Sequence, residues 1–417
     1  MMSYRIQVFL ILLYTSKVFT DGLNPIILIP GYSGSQIEAK LTDKKDVPNE
    51  FCFKKSDGFF NVWASIEVVL PLPFVDCWAD NLRMVYDSKT HTTNPPPGVE
   101  TRIPGFGDTA KIENVNPKSL DSGKYYHDLV EALVNSRGYV RNVNLRGAPY
   151  DFRKAPYENK QWFIDMKNLI EETYNNNGKK RVILIAHSLG GPMTLTFLQG
   201  QDQKWKDKYV AGFITLKLRV ELCIKYICRW ICQLTTFAGD DLGSKHIDGM
   251  VQRSFQITWS SLAYLMPSPL VFDPKEPLAR AFNIDFSLSN IEFFFRNLSC
   301  PDCYEMWKDS EPYKDRLAPP GVEVYCLHGS GIDTIDELTQ EVNDKPNQVE
   351  MWTSDGDGTI NRVSLEACGR WDHNQTQAFH HEVYPKVDHM QIMGDNNPTM
   401  VNRIIAIVDE IANHTAT

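Results

Sequence analysis

Three short strings along the chain carry the residue types of a catalytic triad. Ser188 lies between small residues in the first string, 186–191. The second string, 355–359, holds two carboxylates, and the third, 387–389, ends in a histidine. A serine hydroxyl becomes a nucleophile when a histidine accepts its proton and a carboxylate orients that histidine. The strings therefore predict nucleophilic catalysis by Ser188.

The residues around Ser188 have the pattern of a nucleophile elbow. An apolar run at 181–185 predicts a strand before the serine, and residues 193–199 predict a helix after it. A serine at the sharp turn between them has a strained backbone, so its neighbours must be small. Because nucleophile, acid and histidine follow one another in that order, we expect an α/β-hydrolase fold.

Two carboxylates compete for the role of the triad acid. Asp355 and Asp357 lie in the same short string, and the residue pattern alone barely separates them. We take Asp357 as the candidate. The long interval between Ser188 and this string leaves room for an inserted cap domain.

Several histidines could serve as the triad base, and His389 is the candidate. His187 neighbours the serine in sequence but is expected to point away from it across the elbow. His380 and His381 lie on a predicted strand at 378–383, which favours a role in the sheet or at the surface. His389 instead follows that strand, where a loop is expected at the carboxyl edge of the sheet.

A tetrahedral intermediate also needs two backbone N–H donors for its oxyanion. Leu189, directly after the nucleophile, is expected to supply one of them. Tyr32 is expected to supply the other, from the Gly-rich turn at 30–35 after the first predicted strand. Gly31 and Gly34 are also explained by a tight turn alone, and both interpretations can hold together.

The composition and the order of predicted elements indicate a large α/β protein. The chain has 417 residues, of which 42% are hydrophobic, and its net charge of −9 without a basic tract disfavours nucleic acid as a partner. Strands alternate with helices up to the elbow region, which predicts a mostly parallel sheet. The alternation is lost at 237–320, which we interpret as an inserted cap.

The N-terminus has the features of a secretory signal peptide at 1–20. One positive charge precedes a short apolar core at 6–14, which is too short to span a bilayer. Residues 21–417 would then form the mature domain. Three glycosylation sequons, at Asn297, Asn374 and Asn413, support the secretory route.

Residues 48–80 contain a stretch that is too apolar and too rich in proline for an ordinary surface loop. We interpret it as a small subdomain that contacts a lipid surface, although apolar runs more often form core. The residues predicted to contact lipid are Trp63, Val68, Val69, Leu70, Leu72 and Phe74.

The chain resembles the lecithin:cholesterol acyltransferase family, and most closely its lysosomal phospholipase A2 branch. The resemblance covers nearly the whole predicted mature chain. The strings that carry it are 29–31, 34–41, 67–71, 76–78, 102–107, 146–153, 186–190, 205–209, 356–359 and 388–389.

The resemblance implies an α/β-hydrolase core with a small membrane-binding subdomain and a cap carrying a mobile lid. It implies Ser188, Asp357 and His389 as the triad, which favours Asp357 over Asp355. It also implies disulfides in two pairs. These pairs are Cys52 with Cys77 and Cys326 with Cys368.

Family members cleave an acyl chain from a glycerophospholipid and pass it to water or to a lipid alcohol through an acyl-serine. The resemblance therefore implies a phospholipase A and O-acyltransferase that uses no metal or other cofactor. Its expected partners are a phospholipid membrane or lipoprotein surface and a lipid alcohol, and a monomer in the lysosome or outside the cell is expected. The alternatives are a sterol acyltransferase and a catalytically impaired lipid-binding homologue.

Two departures from the family pattern affect the predicted site. Tyr32 replaces the acidic residue or cysteine of the family branches, which leaves a backbone donor in place. After the strand at 211–216, the family carries Gly-Ala-Pro-Trp-Gly-Gly, whereas residues 217–234 here are basic, aromatic and rich in cysteine. That segment either alters the floor of the site or reflects a misassigned exon boundary, which sequencing of the transcript would distinguish.

Overall fold

The computed structural model describes residues 22–63, 74–116, 123–217, 249–281, 284–297, 300–314, 318–340 and 349–416. The predicted signal peptide lies outside these residues. So do four of the predicted lipid contacts, Val68, Val69, Leu70 and Leu72, and all of the unusual segment except Lys217.

Fifteen strands are formed by the described residues. In chain order they are β1 (Ile26–Ile29), β2 (Ile37–Leu41), β3 (Phe60–Trp63), β4 (Val85–Asp87), β5 (Thr92–Asn94), β6 (Val99–Arg102), β7 (Leu145–Gly147), β8 (Val182–His187), β9 (Val210–Leu216), β10 (Ala279–Ala281), β11 (Ile284–Phe286), β12 (Val324–Ser330), β13 (Ile332–Gln340), β14 (Val349–Gly356) and β15 (Phe379–Pro385).

The α-helices of the described residues range from one turn to five. In chain order they are α1 (Phe74–Leu82), α2 (Ala110–Glu113), α3 (His127–Arg137), α4 (Lys160–Asn176), α5 (Gly190–Gln199), α6 (Gln203–Tyr209), α7 (Gly249–Gln256), α8 (Ser260–Tyr264), α9 (Ile291–Asn297), α10 (Pro301–Lys314), α11 (Arg362–Leu365) and α12 (Pro398–Ala416). Among the described residues, none of these helices combines the length and the apolar character needed to cross a membrane.

The central sheet has six parallel strands in the order β15–β12–β9–β8–β1–β7. Its middle strands are buried along their whole length, which is expected when helices cover both faces of a parallel sheet. Alternate residues of one strand therefore enter different cores. Ile27 and Ile29 pack into one core, whereas Ile26 and Leu28 pack into the other. This architecture confirms the predicted α/β-hydrolase core.

Smaller sheets flank the central one and carry parts of the candidate site. β3, β2 and β6 form a three-stranded antiparallel sheet beside the turn that follows β1. β11, β10, β13 and β14 form a four-stranded sheet, and β14 leads directly into the Asp357 turn. The described part of the predicted cap supplies β10, β11 and α7 to α10. The boundaries of the cap and of the lipid-binding subdomain stay predictions.

Trp63 belongs to the core, so its predicted contact with lipid is wrong. Its side chain is only 4% exposed. The ring stacks on Trp78 with 6.3 Å between centroids, and its Nε1–H donates to the carbonyl of Ser33 at 3.0 Å. Phe74, at the start of α1, is half-buried. Trp63 is core rather than surface because the end of β3 packs against the hydrophobic interior.

Among the described residues of this region, the most exposed large apolar side chains are two that the sequence patterns did not single out. Phe51 and Phe53 are 53% and 76% exposed, and they flank Cys52. The ring of Phe51 contacts that of Phe74, with 6.1 Å between centroids. The signal in the sequence that could have identified this surface is the presence of a phenylalanine on each side of Cys52. We call Phe51, Phe53 and Phe74 the aromatic surface.

Three disulfides fix loops of the described chain. Cys52 pairs with Cys77, and Cys326 pairs with Cys368, as the family resemblance implies. A third bridge joins the two cysteines of a short CxxC string, Cys300 and Cys303. The sequon residues Asn297, Asn374 and Asn413 are all exposed, as glycosylation requires, and their modification stays a prediction.

Candidate active site

Ser188 sits at the sharp turn between β8 and α5. Its φ of 51° lies in the left-handed region, which is uncommon for a residue with a side chain. The turn can be this tight because α5 begins with a glycine. A Cβ on Gly190 would lie 2.5 Å from the carbonyl oxygen of Pro30. The first turn of the helix thus packs directly against the end of β1, which produces the elbow geometry.

His389 connects Ser188 to Asp357 from the loop after β15. Its Nε2 lies 3.2 Å from the Ser188 Oγ, and its Nδ1 lies 3.1 Å from the Asp357 Oδ2. Ser188 is 2% exposed and Asp357 is fully buried. The three predicted side chains therefore form one hydrogen-bonded series, in which an imidazole can take the serine proton while a carboxylate holds its other nitrogen.

Asp355 and Asp357 have different surroundings although only one residue separates them. The Asp357 Oδ1 accepts the backbone N–H groups of Thr359 at 2.8 Å and Ile360 at 2.7 Å. Asp355 is exposed and forms an ion pair with Arg362 at 3.0 Å. Only Asp357 contacts His389, because it lies in the buried turn after β14, whereas Asp355 is still on the exposed end of the strand.

Lys217 is a neighbour of Asp357 that the sequence patterns did not single out as part of the site. Its Nζ lies 2.9 Å from the Asp357 Oδ2, and both side chains are fully buried. The contact is a buried ion pair. The same carboxylate oxygen thus faces both an ammonium and the His389 imidazole.

The position of Lys217 is fixed by the backbone. Its N–H donates to the carbonyl of Leu327 at 2.7 Å, and its φ of 60° is a conformation that favours glycine. Burial raises the pKa of the Asp357 carboxyl, but the charges of Lys217 and then His389 hold that pKa well below its usual range. Burial in turn lowers the pKa of the Lys217 ammonium. The signal in the sequence that could have indicated this contact is a lysine placed directly after a buried strand.

The turn after β1 lies against the nucleophile. A Cβ on Gly31 would lie 2.8 Å from the Ser188 Cβ, so only glycine allows this approach. The Gly31 N–H donates to the Tyr125 hydroxyl at 2.8 Å, and the next N–H along the turn belongs to Tyr32. Leu189 precedes the first residue of α5, where backbone N–H groups lack partners within the helix. Their role as oxyanion donors stays a prediction.

His187, a competitor for the role of base, contacts the backbone of the catalytic loop rather than Ser188. Its Nε2 lies 3.0 Å from the His389 carbonyl oxygen, and its Nδ1 lies 2.6 Å from the Tyr125 hydroxyl. Burial, followed by the charges of His389 and Lys217, lowers the pKa of His187 well below its ordinary value. A buried neutral imidazole is therefore expected at this position.

Comparison with known proteins places the chain in a family. The family model described as lecithin:cholesterol acyltransferase matches residues 59–396. The chain belongs to this family. It is 35% identical over 390 residues to the lysosomal phospholipase A and acyltransferase of Bos taurus, covering 92% of each chain. It is also 35% identical to the phosphatidylcholine-sterol acyltransferase of Gallus gallus, covering 90% of this chain and 89% of the relative.

Similarity to solved structures is weak by comparison. A putative aryl esterase from Burkholderia cenocepacia matches with a TM-score of 0.32 and 12% identity, covering 95% of this chain and 92% of that chain. A likeness at this level carries no argument. The order and parallel register of the central strands support the fold directly.

His380 and His381 were the other candidates for the triad base. Both lie on β15, and neither takes part in the contacts that join Ser188, His389 and Asp357. The His380 ring stacks on Tyr325, with 4.1 Å between centroids. The His381 Nε2 lies 2.8 Å from the His328 Nε2. Since the His328 Nδ1–H faces the carbonyl of Gly329 at 2.9 Å, its Nε2 accepts the His381 proton. Both are therefore residues of the sheet, as the sequence patterns favoured.

Two clusters among the described residues have the composition of a metal site, and neither suits a metal. Cys326 and Cys368 lie near His381, but these cysteines are joined in a disulfide. Glu113, His127 and Glu131 form the second cluster. Both of its carboxylates pair with the guanidinium of Arg141, which already compensates their charge.

The pair of His328 and His381 predicts that acid destabilises the fold. Burial lowers the pKa of both imidazoles, whereas an unfolded histidine titrates near 6.5. Below about pH 6.5 the unfolded chain takes up protons that the folded chain excludes, so the free energy of unfolding falls. His328→Gln should reduce this pH dependence by up to about 1.4 kcal/mol per pH unit, measured by urea unfolding between pH 7 and 5.

The titration of Asp357 does not contribute to the change in stability between pH 7 and 5. Its depressed pKa stabilises the fold above the ordinary carboxyl pKa, near 3.9, and that contribution is lost only at lower pH. The matched control is His373→Asn, which changes a histidine whose side chain is 91% exposed. An unchanged pH slope in His328→Gln would contradict the prediction.

Proposed function

We propose that this protein is a serine-dependent phospholipase A and O-acyltransferase that acts on glycerophospholipids. The observation that supports it most directly is the series from Ser188 through His389 to Asp357 at a nucleophile elbow. Two relatives at 35% identity are named as acyltransferases of phospholipid metabolism. The geometry supplies the nucleophile, base and orienting acid that acyl transfer requires.

In the proposed first half-reaction, the Ser188 Oγ attacks the carbonyl carbon of a fatty acyl ester while the His389 Nε2 takes its proton. Asp357 holds the His389 Nδ1–H and stabilises the positive charge that develops on the ring. The tetrahedral intermediate then collapses. The His389 proton passes to the departing alcohol oxygen of the lysophospholipid, and the acyl group stays on Ser188.

In the second half-reaction, water or a lipid alcohol donates its proton to the His389 Nε2 and attacks the acyl-serine. The products are a free fatty acid or a new ester, and Ser188 regains its proton. The backbone N–H groups of Leu189 and Tyr32 are proposed to bind the oxyanion in both halves. Sequence identity does not separate a sterol from another lipid alcohol, because relatives of both named kinds are 35% identical.

The aromatic surface is proposed to meet the lipid aggregate that holds the substrate. Phe51 and Phe53 expose large rings to solvent, although more than half of the aromatic residues that the structure describes are buried. The disulfide between Cys52 and Cys77 ties this segment to α1, so Phe74 lies on the same surface. Clustered exposed apolar side chains are typical of surfaces that bind membranes.

The proposed compartment is the secretory pathway, ending in the lysosome or outside the cell. Exposed sequons and three disulfides suit an oxidising route. The relative in Bos taurus is named as lysosomal. We propose a monomer that binds a membrane or a lipoprotein surface.

A second candidate function is a lipid-binding homologue with impaired catalysis, and Lys217 is the observation that favours it. Its ammonium faces the Asp357 oxygen that also holds His389. A second cation at this oxygen weakens the electrostatic stabilisation of a protonated His389, because like charges repel in a buried site. Acyl transfer would then be slow although the triad geometry is intact.

The choice between the two neighbouring carboxylates gives a direct test of the proposed triad. Asp357→Asn should lower kcat for acyl release from phosphatidylcholine liposomes by roughly 10⁴-fold, because the His389 tautomer is no longer held. The matched control, Asp355→Asn, should stay within a few-fold of wild type. Ser188→Ala should abolish the acyl-enzyme step.

The same assay should contain a long-chain alcohol and a sterol, at pH 5 and pH 7, so that the products identify the acceptor. Equal activity of Asp357→Asn and wild type, in folded protein, would contradict the assignment. Loss of activity in Asp355→Asn alone would assign the acid to the other carboxylate.

The aromatic surface predicts that binding to vesicles depends on two phenylalanines. Phe51→Ser combined with Phe53→Ser should weaken binding to phosphatidylcholine vesicles at least about tenfold, since each buried ring contributes on the order of 2 kcal/mol. Sedimentation of vesicles measures the bound fraction. Ile164→Ser on α4 is the control, because this side chain is 56% exposed and lies on another element. Equal losses in both variants would exclude a specific surface.

The ion pair of Lys217 predicts that removing its charge activates the nucleophile. Lys217→Met should increase the rate at which a fluorophosphonate labels Ser188 by roughly tenfold, since repulsion of the protonated His389 is relieved. Lys206→Met is the control, because Lys206 is also buried but bonds the carbonyl of Pro320 at 2.9 Å. A slower reaction in Lys217→Met would instead give the lysine a supporting role.

A further inference from the structure

We propose that Tyr125 and His187 are positioning residues that hold the oxyanion turn, the nucleophile and the His389 loop in register. This inference rests on the proposed function, because it concerns the geometry of the same acyl transfer. Neither side chain is placed in contact with substrate. Each acts through the backbone groups that it bonds.

A continuous series of hydrogen bonds carries the proposal. The Tyr125 hydroxyl lies 2.8 Å from the Gly31 nitrogen and 2.6 Å from the His187 Nδ1. The His187 Nε2 then lies 3.0 Å from the His389 carbonyl oxygen. Tyr125 is 6% exposed and His187 is 1% exposed, so water does not compete freely for these bonds.

The direction of each bond follows from its ends. The Gly31 N–H can only donate and the His389 carbonyl oxygen can only accept, so the Tyr125 oxygen accepts at one end of the series and the His187 Nε2–H donates at the other. In a neutral His187 ring, Nδ1 then accepts the proton of the Tyr125 hydroxyl. With Nδ1 as acceptor, the neutral ring carries its proton on Nε2 and donates it to the His389 carbonyl. The series therefore has one consistent polarity and requires His187 to be neutral.

The surroundings of His187 favour the neutral ring. Tyr125 faces it from the segment before α3, and His389 faces it from the loop after β15, with 4.9 Å between ring centroids. Lys217 adds a positive charge from the end of β9, and Asp357 adds an opposing negative one. Burial and the two positive groups outweigh the carboxylate, so the pKa of His187 is lowered.

The sheet itself does not hold the His389 loop against the elbow. β15 lies at the edge of the sheet, and β12 and β9 separate it from β8. The bond between His187 and the His389 carbonyl crosses this gap directly. At the other end, Tyr125 bonds the turn whose next residue, Tyr32, is the proposed oxyanion donor. The series thus joins three segments that contribute separate parts of the site.

This register matters because the contact between the His389 Nε2 and the Ser188 Oγ is already 3.2 Å long. Catalytic groups must be held within about 0.5 Å of their productive arrangement. A misplacement near 1 Å costs on the order of 100-fold in rate. Loosening the His389 loop or the turn would therefore affect the chemical step more than the binding of lipid.

Tyr139 provides a matched control for a purely structural role. It is also buried, at 2% exposure, and its hydroxyl donates to the carbonyl of Asn24 at 2.9 Å. That bond lies before the start of β1, at the opposite end of the strand from Gly31. Tyr125→Phe and Tyr139→Phe each remove one buried hydroxyl group and nothing else.

The experiment measures kcat and KM for acyl release from phosphatidylcholine liposomes, with the fluorophosphonate labelling rate of Ser188 as a second readout. Tyr125→Phe should lower kcat and the labelling rate by roughly 10- to 100-fold and leave KM within about twofold. Tyr139→Phe should change stability without changing either rate in folded protein. Adding His187→Gln to Tyr125→Phe should cost less than His187→Gln does in wild type, because both act through one series.

The outcomes separate this inference from the proposed function. Equal rates for Tyr125→Phe and Tyr139→Phe, or a rise of KM alone, would overturn the positioning role while leaving the function intact. If wild type releases no acyl chain but its Ser188 is labelled, the substrate assignment fails and the labelling rates still decide the positioning role. If wild-type Ser188 is neither active nor labelled, both proposals are overturned.

Discussion

The left-handed backbone of Ser188 is the constraint on which the rest of the site depends. It brings the serine side chain to the edge of the sheet, but only if α5 and the turn after β1 approach each other without side chains between them. Gly190 and Gly31 meet that requirement, because a Cβ on either would collide with the neighbouring backbone. The close approach then places the turn beside the nucleophile. The elbow and the position of the turn after β1 thus both follow from the same close packing of backbone.

The second determinant of the site is the distribution of charge around the buried carboxylate of Asp357. Asp357 is stabilised by two backbone N–H groups and by His389, which suits its proposed role. Lys217 adds a further cation at the same carboxylate. These contacts fix the position of the Asp357 carboxylate. The positive charge of Lys217 also reduces the negative potential that the carboxylate provides at His389. Geometry and reactivity are therefore separate questions in this protein.

Aromatic packing separates the interior of the predicted lipid-binding region from its surface. Trp63 packs against Trp78, Phe152 and Trp259, and so connects β3 with α1 and with the predicted cap. These rings are buried, so they stabilise the region rather than contact lipid. The exposed rings of the aromatic surface lie on the solvent side of the Cys52 disulfide. The same residue type thus serves two roles, which depend on the side of the segment it occupies.

The sequence by itself determined the fold class, the elbow and the order of the triad, because these depend on local patterns and on the sequence positions of a few residues. It could not separate Asp355 from Asp357 without the family resemblance, since that choice depends on how β14 turns each side chain. It also placed Trp63 at the lipid surface, because an apolar run looks alike in core and interface. Tertiary structure decided these points and revealed Lys217, since each depends on contacts between segments that are distant in the chain.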